Sequence, residues 1–316
     1  MKLHFLIILL FCYLTTVAQQ DLQQVQNYLD NGQANKAKTL LEEKDQSLQE
    51  VGRLNGEVAI KLEQWENATS IFENLVEENP QNADFHFKYA ASLGMQALEM
   101  SKFEAAFHIG DVKKHFENAA ELDQNHLASR WALVRLYLEL PGMLGGSTNK
   151  ARQTSKELMR INKADGWLSK GYIAEYEEKK TRKKFYTKAL ENEKASYCFQ
   201  KLKELYEFSL KNPKTVFRHS KNIFKELNVN EFNYQLADYA WNNKVGLKQS
   251  VGLLKKFIDE YSGTEETDLA YAYLRMAQIH KELGKKVKAK HWINKAVAQK
   301  DNFAIALKTQ SQLYMK

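Results

Sequence analysis

A loose repeat of about 34 residues runs through almost the whole chain after its first 20 positions, and a period of that length signals stacked supersecondary units. Its clearest copy reads Gly56, Ala59, Ala68, Phe72, Leu75, Pro80. Small residues at helical spacing let two helices approach closely, and large apolar residues fill the seam between them. Such a unit cannot bury its apolar face alone and does so against its neighbours. The nearly 300 residues beyond the first 20 can therefore fold without one oversized core. Three prolines and 14 glycines leave few helix breakers. Helical periodicity is visible nearly throughout and period-two alternation is not, which predicts an all-α protein.

The N-terminal segment is set apart. Lys2 is followed by an almost wholly apolar run, Leu3 to Leu14, and then by the small-residue site Thr16-Val17-Ala18. This pattern predicts a signal peptide over 1–18, cleaved after Ala18. The run is short for a bilayer span, which needs about 20 residues. Phe11 rather than a small residue precedes Cys12, which argues against lipid attachment there. The expected mature chain, 19–316, is exported, periplasmic or extracellular, with no transmembrane segment. It keeps one cysteine, Cys198, so no internal disulfide can form. Between Tyr197 and Phe199, that thiol is expected to be a small buried residue rather than a reactive one.

Eight units can be laid along the chain: about 21–48, 49–82, 83–123, 127–163, 164–194, 195–229, 230–263 and 267–301, with a capping helix over 302–314. The third is lengthened by Met95 to Gly110, still helical in pattern, so both of its helices are expected to be long. The fourth is interrupted by the loop Pro141-Gly142-Met143-Leu144-Gly145-Gly146-Ser147. The second unit, with Trp65 at its turn, and the eighth, with Ala277, Gly284, Ala289, Ile293 and Ala296, are the most regular.

These residues resemble the tetratricopeptide repeat. The family places a small residue and an aromatic on the first helix, Ala and a large residue on the second, and Pro or Asp at the close. The resemblance covers about nine-tenths of the mature chain and implies a right-handed superhelical α-solenoid of antiparallel helix pairs. It also implies that first helices line a groove. Carried onto this chain, the groove positions are Arg53, Glu57, Phe87, Trp131, Arg135, Tyr172, Glu175, Tyr234, Asp238, Trp241, Gln278 and Lys281. Aromatics interleaved with arginine suit a protein or peptide partner, since they provide contact area and directed charge. The Lys/Asn pattern by which some members clamp a terminal carboxylate is not matched.

Other chemistry is thinly represented. The net charge is +7, or +6 without Lys2, dispersed over 46 basic residues, which argues against nucleic acid. The densest basic run, Lys179, Lys180, Arg182, Lys183 and Lys184, is best accounted for as a solvated face. Gly145 and Gly146 can be placed in an anion-binding nest beside a helix start at Ser147 or Thr148. The same residues are accounted for more simply as an irregular turn with a helix cap. Similar Gly-Gly-Ser loops occur in a periplasmic family that works with the substrate-binding proteins of tripartite transporters. His86, His108 and His115 lack the spacing of a metal site. No cofactor or metal is expected, and no catalytic motif is present. The expectation is a non-enzymatic binding scaffold of the cell envelope. The alternative is a periplasmic ligand-handling partner of a transporter's substrate-binding protein. Oligomeric state is not legible.

Overall fold

The computed structural model describes residues 20–300 and 303–314; the segment taken as a signal peptide lies outside the described residues. Every regular element among them is helical. The chain forms two compact units, 1–157 and 158–316 by sequence.

In the first unit, α1 (20–30) and α2 (Ala34–Glu42) form one pair. α3 (Gln49–Lys61) and α4 (Trp65–Glu78) form the next, and α5 (Ala83–Glu99) and α6 (Lys102–Leu122) a third. α7 (Leu127–Glu139) packs on α6 and leads through a 3-10 turn, Gly142–Leu144, to α8 (Thr148–Ile161), in which the boundary between the units falls. The second unit continues with α9 (Lys163–Tyr176) and α10 (Arg182–Leu190), then α11 (Ala195–Leu210) and α12 (Pro213–Leu227). α13 (Asn230–Asn242) pairs with α14 (Leu247–Asp259), α15 (Leu269–Glu282) with α16 (Lys286–Gln299), and α17 (Ala304–Tyr314) packs against α16. Short connections make partners antiparallel.

The seams follow the small-and-large logic of the sequence. Ala59, Ala68 and Phe72 are buried between α3 and α4, and a Cβ on Gly56 would lie 2.6 Å from the Phe72 ring. Gly171 on α9 is tighter still: its Cβ would lie 2.2 Å from Tyr186 on α10. Ala277, Ala289, Ile293 and Ala296 are wholly buried in the last pair. Cys198 is buried, which pushes its thiol up to about 12, so it is a packing residue.

Helix ends are set locally. Ser101 accepts from the Glu104 amide while Glu104 caps back onto Ser101, so the long third pair breaks cleanly between Glu99 and Lys102. Five first helices end in the same way. Gly32, Glu63, Glu178, Lys244 and Gly284 all have positive φ, between 54° and 71°. The next amide in each case reaches back five residues: Gln33 to Tyr28, Gln64 to Ala59, Lys179 to Ala174, Val245 to Ala240 and Lys285 to His280. This is the Schellman turn, made entirely from backbone. It turns the first helix into the second, and Trp65, expected at such a turn, is the first residue of α4.

Candidate functional site

The first helices carry most of the polar and aromatic groups singled out from the sequence. In the first unit a charged ladder crosses α1, α3 and α5. Arg53 pairs with Glu50 at 2.6 Å and with Glu57, and donates to Gln26 on α1 at 3.3 Å. Glu57 also takes Lys88 of α5, which pairs in turn with Asp84 at 2.8 Å. The Glu50 hydrogen bond raises the Arg53 guanidinium further above its usual range, and Arg53 lowers Glu50. Opposite charges thus sit within contact distance along the ladder.

The second unit builds a tighter platform on α13 and α15. The guanidinium of Arg275 lies 3.9 Å above the centre of the Trp241 ring. It donates to Asp238 and to Gln278, the latter at 2.7 Å. Tyr234 packs against Phe257, and burial pushes its phenol up to about 12. Lys281 reaches Gln312 of α17 at 3.2 Å, and the Lys244 ammonium lies 4.7 Å from the centre of the Trp241 ring. A planar cation fixed between an indole and a carboxylate is preorganised, so little rotamer freedom remains to be lost on contact with a partner.

The other expected groove residues lie elsewhere. Trp131 and Tyr172 are buried, the latter bonded through its hydroxyl to Ser209 at 2.8 Å. Arg135 is half-buried on α7. Phe87 packs against Phe116 and His126. Glu175 faces a polar cluster: it accepts from Tyr186 at 2.7 Å, Tyr206 at 3.0 Å and His219. Burial pushes the Glu175 carboxyl up, but the hydrogen bonds from His219 and Tyr186, the His219 charge and Tyr206 outweigh it and hold it below the usual carboxylate range. The cluster ties α9, α10, α11 and α12 together.

Gly145 and Gly146 do not form an anion nest. Their amides donate to the carbonyls of Gly142 and Pro141, and the Ser147 amide donates to Tyr137 at 2.7 Å. Gly145 has φ 95°, and a Cβ on Gly146 would lie 1.8 Å from the Leu140 carbonyl oxygen, so both glycines are required by the turn itself. Ser147 caps α8 by accepting from Lys150 at 3.3 Å.

His86 and His115 meet across α5 and α6 at 2.8 Å through their Nδ1 atoms. His86 Nε2 lies 3.0 Å from the Pro80 carbonyl, which can only accept, so a proton sits on that nitrogen. No group of three or more His, Cys, Asp or Glu able to hold a metal occurs among the described residues. No helix among them is long and apolar enough to cross a membrane. On the lengthened third pair, Phe103 and Phe107 stand 75% and 69% exposed with their rings edge to face at 5.0 Å.

Lys88, Arg275 and Gln26 complete the two polar faces and were not visible from the repeat alone. Their role depends on which first helix lies beside which, and one repeat's internal spacing does not carry that. The signal that would find them is an opposite charge on successive first helices.

No protein-family model and no curated protein sequence matches the chain. Among solved structures it is similar to a tetratricopeptide repeat protein from Parabacteroides merdae, with 11% identity, 94% of this chain and 98% of that one covered, and a TM-score of 0.41. It is also similar to the C-terminal part of a TPR repeat-containing protein from Cytophaga hutchinsonii, with 14% identity, coverage of 91% and 98%, and a TM-score of 0.40. A TPR protein from Thermus thermophilus has 12% identity, coverage of 85% and 100%, and a TM-score of 0.32. At these identities the likeness is one of fold.

Proposed function

We propose that this protein is a non-enzymatic scaffold that holds a protein or peptide partner along the first-helix faces of its helix pairs. The observation that supports this most directly is the α13–α15 platform, where Arg275 is fixed over Trp241 between Asp238 and Gln278. Aromatic and arginine groups held in place are the groups that dominate protein interfaces. The ladder through Arg53, Glu57 and Lys88 offers the first unit a second contact face of alternating charge. We further propose that the protein acts in the cell envelope or outside the cell, on the strength of residues 1–18.

Site-specific photocrosslinking in cells tests the scaffold. A crosslinker at exposed Asn242 or Lys281, on the proposed face, is expected to give a discrete adduct. A crosslinker at exposed Lys255, on second helix α14, is expected to give none. The adduct should disappear when Trp241→Ala and Asp238→Ala are introduced together. Equal capture at Lys255, or an adduct indifferent to the double variant, refutes the assignment of the face. Sequencing of the mature N-terminus tests export: it is expected to begin at Gln19.

A further inference from the structure

A pocket of about 200 Å³ opens between second helices α12 and α14, over α13, away from the polar first-helix faces. Its floor is apolar. Phe224, Phe232 and Leu236 are buried there, and half-buried Leu253 closes one side. The rings of Phe224 and Phe232 are 4.5 Å apart, and Phe199 backs both. The rim is basic. Lys221, Lys225 and Lys256 line it, and no carboxylate does.

The charges are largely uncompensated. Lys256 donates to the Asn228 side chain at 3.1 Å and lies 3.9 Å from Glu260. Among the described residues neither Lys221 nor Lys225 takes part in an ion pair. The C-terminus of α12 and the N-terminus of α13 both abut the pocket, so their dipoles oppose one another and leave the lysines to set the sign. Lys225 also sits in the last turn of α12, where a cation is favoured on its own account. That does not explain Lys221 or Lys256, which come from different helices and converge on the same apolar opening.

Size narrows the occupant. An apolar cavity of about 150 Å³ takes a benzene ring, so this one has room for a ring and one or two methylenes. Aromatic walls favour an aryl group stacked or edge-on. An apolar group of that size with an anion at the mouth satisfies both halves of the site. We propose that this pocket binds a small free amphiphilic carboxylate, of the arylalkyl class, with its ring on Phe224 and Phe232 and its carboxylate among Lys221, Lys225 and Lys256. This site is independent of the first-helix faces, so either assignment can fail alone.

The test is ligand-observed NMR titration of the purified mature protein with 3-phenylpropionate, repeated with the neutral amide 3-phenylpropanamide. Saturable binding of the acid is expected, about tenfold tighter than the amide, a ratio equal to about 1.4 kcal/mol. The double variant Lys221→Ala with Lys225→Ala, the first half-buried and the second exposed, should weaken the acid by a similar factor and leave the amide unchanged. Leu253→Phe should block both ligands by filling the opening, with circular dichroism confirming an intact fold. Added salt should weaken the acid alone. Equal binding of acid and amide overturns the role of the lysines. No saturation by the acid at millimolar concentration overturns the site. A peptide ending in Phe that saturates where the free acid does not overturns the assignment to a free ligand.

Discussion

Replacing Gly171 by alanine isolates the close approach on which the helix pairs depend. The new Cβ would lie 2.2 Å and 2.4 Å from Cε1 and Cδ1 of Tyr186. That ring is fully buried and cannot recede freely, because its hydroxyl donates to Glu175 at 2.7 Å. Overpacking of this kind costs about 1–3 kcal/mol. Against it stands the helix preference of alanine over glycine, about 1 kcal/mol. Gly252 on α14 supplies the control, since a Cβ there meets nothing within 4 Å. Gly252→Ala should therefore show the propensity gain alone and stabilise the protein by about 1 kcal/mol. The propensity term cancels between the two variants, so the gap between them measures the clash, about 1–3 kcal/mol. Urea unfolding followed by far-ultraviolet circular dichroism reads both. If Gly171→Ala is stabilised as much as Gly252→Ala, the seam is not closed by the absence of a Cβ, and the same reasoning fails at Gly56.

Two further outcomes follow from buried polar groups. Glu175→Ala leaves the hydroxyls of Tyr186 and Tyr206 without this acceptor, and it should cost about 1–3 kcal/mol for each in the same assay; a loss below about 0.5 kcal/mol, the scale of an ordinary surface change, would show that the cluster is slack. Acid should also destabilise the fold. His115, His126 and His280 are each held below the usual value of 6.5, in every case chiefly by burial, with like charge from His86 and Lys114, from Arg130, and from Lys285 and Lys288 respectively. Asp111 opposes the shift at His115, and Asp84 and Asp123 oppose it at His126. The folded state binds fewer protons than the unfolded one, so this stability is complete above about pH 6.5 and is lost as pH falls through the lowered folded values. The melting temperature should be lower at pH 5 than at pH 7.5, and an unchanged or higher value at pH 5 would contradict the burial of these rings.

The helix pairs were legible because their seams are written in residue size. Gly56, Ala59, Ala68 and Phe72 alternate small and large at helical spacing, and the folded seam uses each as its size suggests. The long third pair was legible too, since the segment from Met95 to Gly110 keeps a helical pattern across its break. The polar faces were only half legible. Asp238 and Gln278 meet through Arg275, yet no spacing within one repeat selects Arg275 over the other cations of α15. Trp131 and Tyr172 hold first-helix positions like those of half-buried Arg53, Asp238 and Trp241 and are nevertheless buried. The pocket on α12 to α14 was missed for a related reason. Its lining comes from α12, α13 and α14 together, and no spacing within one repeat brings those three helices to one opening.

The repeated left-handed turn bears on how such a chain changes over time. Glycine occupies it in the first and last pairs, but Glu63, Glu178 and Lys244 hold the same conformation elsewhere, at roughly 1–2 kcal/mol each relative to an unstrained residue. The turn tolerates this because its bonds run from backbone to backbone and require no particular side chain. Mutation can then rewrite these positions one at a time without moving a helix. Ancestry of this kind fades from the letters well before it fades from the path of the chain, and a lineage can stay structurally continuous after its sequences have ceased to resemble one another.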